Sequence, residues 1–323
     1  MSRNLTPILI IMAAILAAAL FIKGGEVITA YQVATTNQSA SIMNITNQAP
    51  TVENLKCYDY NDHQISTAAP LALKGGTTSQ IVCNATANDY NGGETINSTT
   101  PTGRAYKEAV GPSCSADSTN CYVNSSCAWL GVKNKTAQYV ECRYFIYYHA
   151  DPTGEIGDWY GNITVNDGAL YGSEKWGFDV GDLLALGVAG TLPFGTANPG
   201  DKLAVNKTHA VTNYGNVQID LQLNGSNPGM DCTSATDIPT GNIKYNCTNS
   251  QGAVFDGIGT PLTTTASSAN CTDFDLDESS STSFPPALSS KDTYWGVEIP
   301  LGVSGSCQGT IWFTAIYSVP PGS

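Results

Sequence analysis

Ten cysteines constrain this chain more than any other feature, since an even number of thiols in one part of a chain favours a disulfide framework. All of them follow an apolar N-terminal segment, and no Cys-x-x-Cys pair occurs. We therefore expect ten half-cystines and a body that folds in an oxidising compartment. The cysteines concerned are Cys57, Cys83, Cys114, Cys121, Cys127, Cys142, Cys232, Cys247, Cys271 and Cys307.

The apolar segment, Leu5 to Ile22, contains no charged residue and lies between Arg3 and Lys23. As a helix it would be about 27 Å long, close to the thickness of a bilayer core. It can be interpreted as an uncleaved anchor with the body outside, as a cleaved secretory signal, or as a helix that polymerises. In each case the body is exported, and a retained helix would make the protein a single-pass membrane protein.

The formal net charge of -13 and the pI near 4.4 argue against nucleic acid as a partner. Charged residues make up only 13% of the chain, so most of its polarity comes from uncharged residues. The hydrophobic content of 41% is sufficient for buried cores.

Alternation of apolar and polar residues predicts β-strands throughout the body. Ile81, Cys83, Ala85 and Ala87 share one face of a strand, and the segment 139–149 is apolar on both faces, as in a central strand. Further alternation occurs in 158–167, 217–224, 295–301 and 311–317, and only a weak helical period is present at 180–188. The predicted fold class is all-β.

We expect four parts in the chain. They are a transmembrane or signal-anchor helix at 1–23, a stalk at 24–49, a β-sandwich at 50–172 and a second β-sandwich domain at 173–323. The stalk includes Glu26 to Ala34, which has the composition of a strand. Six cysteines precede residue 173 and four follow it, and this even division supports the boundary.

Four motifs in the first sandwich are similar to immunoglobulin-like domains of archaeal and bacterial surface proteins. They are Asn47-Gln-Ala-Pro-Thr-Val52, Ile81-Val-Cys-Asn-Ala-Thr86, Asn88-Asp-Tyr-Asn-Gly92 and Trp159-Tyr-Gly-Asn-Ile-Thr-Val-Asn-Asp167. The resemblance implies two immunoglobulin-like sandwiches in tandem, with Cys83 and Cys142 on facing strands and paired. Tyr139 precedes Cys142 by three residues, so no tyrosine corner is implied. The four cysteines of the second block are expected to pair only among themselves.

The segment Arg3-Asn-Leu-Thr-Pro-Ile8, with the apolar residues after it, resembles the N-terminal helix of archaeal type IV pilins. That resemblance implies a short basic leader that is removed and a helix that packs in a filament core. The sequence departs from the pilin pattern at Asn4, where such leaders usually carry glycine.

Twelve Asn-x-Ser/Thr triplets occur, where about five would arise by chance, and they predict N-glycosylation. Asn4 precedes the membrane helix and is expected to be unmodified. The strand phases place Asn84, Asn162 and Asn224 on solvent faces. The predicted glycosylation sites are Asn37, Asn44, Asn84, Asn97, Asn124, Asn134, Asn162, Asn206, Asn224, Asn246 and Asn270.

Two segments are candidate ligand-binding sites, one acidic and one aromatic. Asp273, Asp275, Asp277 and Glu278 form an acidic loop that is a weak calcium candidate, although a solvated loop is the simpler interpretation. The aromatic run 144–148, with Trp159 and Tyr160, is a candidate sugar-stacking face, although sheets use such residues more often for cross-strand packing. No other metal site and no cofactor is expected.

No catalytic motif is present, and we expect no catalytic residue and no enzyme. The expected function is that of an extracytoplasmic structural surface protein, membrane-anchored or self-assembling as a filament or surface-layer subunit. Its partners would be copies of itself or other surface proteins. The alternatives are an adhesin ectodomain that recognises carbohydrate or a partner surface, and an extracellular hydrolase.

Overall fold

The computed structural model of the protein describes residues 46–92, 96, 99–154, 158–234, 236–247, 259–266 and 271–318, with the backbone alone for 204–206. These residues form several antiparallel sheets, which confirms the all-β class. The predicted N-terminal helix and most of the stalk lie outside the described residues. Within the described part, no helix has the length and apolar character needed to cross a membrane.

Eight strands in the first half form two four-stranded sheets. Sheet 1 has the order β1-β2-β6-β5, formed by Thr51–Asp59, Thr78–Asn88, Ala137–Tyr147 and Ala128–Asn134. Sheet 2 has the order β4-β3-β7-β8, formed by Cys121–Asn124, Thr102–Lys107, Trp159–Asn166 and Tyr171–Phe178. A 3₁₀ turn at Glu108–Val110 follows β3.

The inner faces of sheets 1 and 2 enclose the first core. The predicted phases are correct, since Ile81, Cys83 and Ala87 on β2 are buried, as are Trp159 and Ile163 on β7. Strand β6 has a neighbour on each side, as the segment that is apolar on both faces predicts. The Tyr144 hydroxyl crosses the core and donates to the Asn162 carbonyl at 2.8 Å.

The cysteines of sheet 1 lie in one row across the sheet. Cys57 is opposite Cys83, which is opposite Cys142, and Cys127 directly precedes β5 beside Cys142. Disulfides join Cys57 to Cys83 and Cys127 to Cys142. The expected Cys83–Cys142 pair is therefore wrong. These two residues are on adjacent strands of one sheet, not on facing strands, and each bonds to the cysteine on its other side.

Two glycines of sheet 2 make room for this row of sulfur atoms. A Cβ added to Gly161 would overlap the Sγ of Cys57 and lie 2.7 Å from the Sγ of Cys83. A Cβ added to Gly103 would lie 2.9 Å from the Sγ of Cys142. Real Cβ atoms essentially never approach so closely, so the packing of the two sheets depends on these glycines.

The second half contains two larger sheets and one two-stranded ribbon. Sheet 3 has the order β14-β13-β16-β10-β9, formed by Thr260–Pro261, Ile243–Asn246, Ser289–Glu298, Lys202–Asn213 and Leu186–Val188. Sheet 4 has the order β15-β11-β18, formed by Cys271–Leu276, Ile219–Gly225 and Ile311–Tyr317. The ribbon pairs β12 (Asp231–Cys232) with β17 (Cys307–Gln308), and a 3₁₀ turn spans Thr240–Asn242.

The second core lies between sheets 3 and 4, and its disulfides join Cys232 to Cys307 and Cys247 to Cys271. With Cys114–Cys121 in the first half, all ten cysteines are paired, and none pairs across the two blocks. The alternation predicted for 295–301 stops early, because β16 ends at Glu298 and Leu301 is exposed in a turn. The weak helical period at 180–188 corresponds to coil and the short strand β9.

The described residues from Asn47 onward pack as one unit, and Asn216 is central to the junction of the two halves. Its buried side-chain amide donates to the carbonyls of Ala150 at 3.0 Å and Gly181 at 3.1 Å, and accepts from the Leu183 amide at 2.6 Å. Beside it, the Tyr148 and Tyr214 rings meet edge to face at 5.8 Å.

A segment of the second half, residues 279–288, forms the other side of the junction. We call it the crossover segment. Its Ser281 and Thr282 carbonyls accept hydrogen bonds from Ser118 in the first half. The Phe284 ring packs against Tyr122 and Tyr147, with centroid distances of 6.2 and 5.6 Å. The two cores are therefore joined by specific contacts as well as by the chain.

The packing of Gly161 against sulfur gives a direct test. Gly161→Ala should lower the free energy of unfolding by about 1–3 kcal/mol, because overpacking a core between rigid groups costs that much. The matched control is Gly177→Ala in the adjacent strand, where the added Cβ would meet only the Tyr160 ring at 3.6 Å. Denaturant titration of both variants measures the difference, and equal stabilities would contradict the packing argument.

Candidate binding surfaces

A serine and a histidine meet beneath the crossover segment. Ser118 Oγ lies 2.9 Å from His149 Nε2, and both residues are fully buried. A Ser–His pair can serve nucleophilic catalysis when the histidine can take the serine proton and a substrate can reach the oxygen. Here Ser118 Oγ donates to the Ser281 carbonyl at 2.9 Å, and the crossover segment covers it. This pair therefore acts structurally, by holding the crossover segment.

The surroundings of His149 favour its neutral form. The Tyr147 and Tyr148 rings lie 5.8 and 5.0 Å from the imidazole, and Nδ1 has no hydrogen-bond partner among the described residues. Burial lowers the pKa of His149 below its usual value. The Ser281 carbonyl and the carboxylates of Asp151 and Asp117 oppose this shift only in part. A second proton on the ring would thus be buried without an acceptor.

The aromatic run does not form the sugar-stacking face that the sequence suggests. Tyr144, Tyr148 and Trp159 are buried, and only Phe145 is largely exposed. Tyr147 is covered by Phe284, and Tyr160 lies under the Lys175 ammonium group, 3.8 Å from its ring centroid. The alternation of the strands sends these rings to opposite faces, so they cannot form one surface.

The acidic segment is a strand rather than the expected loop. Asp273 and Asp275 lie on β15, Asp277 follows its end, and all three are exposed. Gln218 Nε2 donates to Asp277 at 2.6 Å, and Ser318 Oγ donates to Asp275 at 2.7 Å. Glu278 is half-buried. Among the described residues, no three His, Cys, Asp or Glu side chains converge on a metal position, so this calcium candidate is not assembled.

One buried carboxyl group lies behind that strand. Asp220 on β11 accepts the backbone N–H of Asp275 at 2.9 Å. Burial raises its pKa, and the neighbouring carboxylates of Asp275 and Asp273 add to the effect. The backbone N–H groups of Asp275 and Phe274 act in the opposite direction. The carboxyl group fixes β15 to β11.

The predicted glycosylation sites differ in exposure. Asn134 is exposed, whereas Asn162 is buried, so its expected solvent exposure is wrong. It is buried by residues of the neighbouring strands. Asn162 lies between its cross-strand partners Arg104 and Lys175, and its amide donates to the Glu174 carbonyl at 2.9 Å. The half-buried acceptors are Asn84, Asn124, Asn224 and Asn246. The acceptors outside the described residues are Asn37, Asn44, Asn97 and Asn270, and Asn206 is described by its backbone alone.

A groove with a volume of about 1130 Å³ opens between sheets 3 and 4. One side is formed by the end of β9 and the loop after it, which includes Leu192 and Phe194. The other side is formed by Ile311 and Phe313 of β18, with His209 at its base. Among the described residues that line the groove, none is Asp, Glu, Lys or Arg.

Strand β18 forms the edge of this groove and pairs with β11 alone among the described strands. Its Ile311, Phe313 and Ala315 share a face with Leu223 and Leu221 of β11. The two leucines are fully buried, whereas the β18 side chains of the same face are only partly buried. The second core is therefore open along the free edge of β18.

The groove has the size and chemistry of a peptide site rather than a small-molecule site. Pockets for drug-sized ligands are about 300–1,000 Å³, and this groove is larger. Because its lining is uncharged and includes both polar and apolar side chains, it favours an uncharged occupant over an ion. The unpaired N–H and C=O groups of an edge strand favour an occupant that can supply backbone hydrogen bonds.

Comparisons with models of known protein families and with curated proteins find no match to this chain. Sequence reasoning missed the groove because it forms only when Ile311–Tyr317 is placed at the edge of sheet 4. A signal was nevertheless present, since that segment contains no charge, proline or glycine.

His149 generates a pH-dependent prediction. Its pKa is lower in the folded protein than the usual value of about 6.5 in an unfolded chain. As pH falls below 6.5, the unfolded chain binds a proton before the folded protein does, so the free energy of unfolding decreases.

His149→Gln should reduce this loss of stability between pH 7 and the lowered pKa of His149. Part of the loss should persist in the variant, because the pKa of His209 is also lowered. The control is His63→Gln, at a side chain that is 79% exposed. Denaturant titration across this pH range measures the slopes, and identical slopes in wild type and His149→Gln would contradict the prediction.

The exposure of the acceptors predicts which are modified. Peptide mapping of protein from its native host should find a glycan on Asn134. Asn162 should be bare, because a glycan cannot fit between Arg104, Lys175 and the Glu174 carbonyl without opening sheet 2. A modified Asn162 in folded protein would contradict the described packing of that strand.

Proposed function

We propose that this protein is an extracytoplasmic structural surface protein whose subunits assemble into a filament or surface layer. The five disulfides support the location, since a chain with every cysteine paired belongs to an oxidising environment. Each disulfide adds about 2–4 kcal/mol, mainly by restricting the unfolded chain. A cross-linked body of this kind suits material that is exposed outside the cell.

One observation carries the assembly part of the proposal. Strand β18 is an edge strand with Trp312 48% exposed and Tyr317 51% exposed. An uncovered apolar edge strand is a template for pairing with another chain, and soluble proteins normally protect such edges. An edge left in this state is expected where pairing with another chain is the function.

The remaining features of the proposal come from the sequence. The Leu5–Ile22 segment would anchor the protein in a membrane or pack in a filament core, as in archaeal type IV pilins. The two halves would act as immunoglobulin-like domains in tandem, carrying N-linked glycans. The expected boundary between 50–172 and 173–323 moves to the end of β8 at Phe178, because β8 (Tyr171–Phe178) belongs to sheet 2 and Phe178 lies in the first core. The partners are copies of the same chain or other surface proteins, and no enzymatic activity and no cofactor is proposed.

Electron microscopy of native cells, with gold-labelled antibody against the body, tests the function. We expect label on filaments or on a regular surface layer, and loss of those structures when the gene is deleted. The control is antibody labelling of the deletion strain. Label that is scattered as single molecules, with binding of the purified protein to carbohydrate, would favour the adhesin and contradict the proposal.

A further inference from the structure

Every other edge strand of the described sheets carries a feature that discourages pairing. Strand β1 has a register shift between Glu53 and Lys56, and β5 has two shifts and Lys133. Strand β8 carries Glu174 and Lys175, and β15 carries two aspartates. The remaining edge strands are short: β4 has four residues and β9 has three, whereas β14 and both strands of the β12–β17 ribbon have two each. Short length, charge and bulges are the usual protections of sheet edges.

Strand β18 has none of these protections. It pairs with β11 over seven consecutive residues without a register shift, and its sequence IWFTAIY has no charge, proline or glycine. Such a segment readily accepts another β-strand. Beside it, the uncharged groove can receive alternate side chains of an added strand.

We propose that the occupant of the β18 edge and its groove is residues 26–34 of a second copy of this chain, added as a strand. This inference rests on the proposed function and specifies its contact. The segment EVITAYQVA is rich in β-branched and aromatic residues. With Val27, Tyr31 and Val33 directed into the groove, Glu26 and Gln32 face outward, because successive side chains of a strand alternate.

Charge supports this segment as the occupant. Between Glu26 and Glu53 the sequence has no Asp, Glu, Lys or Arg, which matches the uncharged lining of the groove. The apolar Leu5–Ile22 segment is also uncharged, but as a helix it would satisfy its backbone groups internally and leave the β18 edge unpaired. A strand satisfies both the edge and the groove.

Length also supports it. Nine residues are sufficient to pair along the seven of β18. Residues 35–45 then connect the added strand to its own body and can span at most about 40 Å when extended. Since each copy has one such segment and one groove, the contact is head-to-tail and extends into an open chain of subunits.

Four full-length variants test the contact. Tyr31→Lys should block donation, since it places a charge in the uncharged groove, and Gln32→Lys is its control on the opposite face. Ala315→Lys should block acceptance, since Ala315 lies on the same face of β18 as Ile311 and Phe313, which line the groove, and a charge on that face would be buried by an added strand. Thr314→Gln is its control, an uncharged substitution at an exposed position of the same strand. Circular dichroism checks that the variants are folded.

We expect wild type and both controls to polymerise, as measured by sedimentation and electron microscopy. Tyr31→Lys and Ala315→Lys should each remain monomeric. Mixed in equal amounts, these two variants should form dimers and stop, because the mixture offers one intact groove and one intact strand per pair. Light scattering after size-exclusion chromatography measures the dimer.

The other outcomes are separable. If Tyr31→Lys and Ala315→Lys polymerise as wild type does, the strand contact is wrong, and the assembly function stands on another surface. If the mixture stays monomeric, the two sites do not bind each other, and the inference fails. If wild type is monomeric in detergent and in its native membrane, the proposed function itself fails. A monomer in which residues 26–34 resist hydrogen exchange would show that the segment fills the groove of its own chain.

Discussion

The first half of the protein depends on the contact between a row of sulfur atoms and two glycines. Four cysteines cross sheet 1 in one row, and their two disulfides occupy its inner face. Gly103 and Gly161 on sheet 2 leave space for them. Because disulfides and backbone are both rigid, neither side can relax to accommodate a larger group. The close approach of the two sheets therefore depends on glycine at these two positions.

The second half is held to the first by buried hydrogen bonds that side chains of both halves donate. The amide nitrogen of Asn216 donates across the junction to the Ala150 carbonyl, and the same side chain holds the segment after β8 through the Gly181 carbonyl and the Leu183 N–H. Ser118 links the crossover segment to His149 in the same way. Buried hydrogen bonds of this kind specify one arrangement, since any other would leave polar groups unpaired. The edge of β18 is thus presented on a body whose halves are in defined contact.

The sequence predicted the strands well where period-two alternation is strong. Ile219, Leu221 and Leu223 are fully buried, as their spacing indicates, and the same holds for Ile81 and Trp159. Disulfide pairing was not predictable, because Cys83 has cysteines on both neighbouring strands and alternation does not choose between them.

The predicted exposure of Asn162 is wrong for a related reason. The strand phase gives the face of a residue correctly, but it does not show that long side chains on both neighbouring strands cover it. The surroundings of Asn162 and the groove both depend on which strands lie side by side. They can therefore be predicted only when the strand order is known. The uncharged sequence of β18 indicates an apolar strand, whereas its place at an edge comes from the topology.

The negative net charge of the chain affects which surfaces of two copies can come into contact. Chains that each carry a formal charge of -13 repel one another, and at physiological salt this repulsion acts within about 8 Å of their surfaces. Close contact is therefore least costly where charge is absent from both partners. The groove beside β18 and the segment between Glu26 and Glu53 are two such places. Acidity elsewhere would keep subunits from associating through other faces, so in the proposed assembly the charge distribution that gives solubility would also select the contact surface.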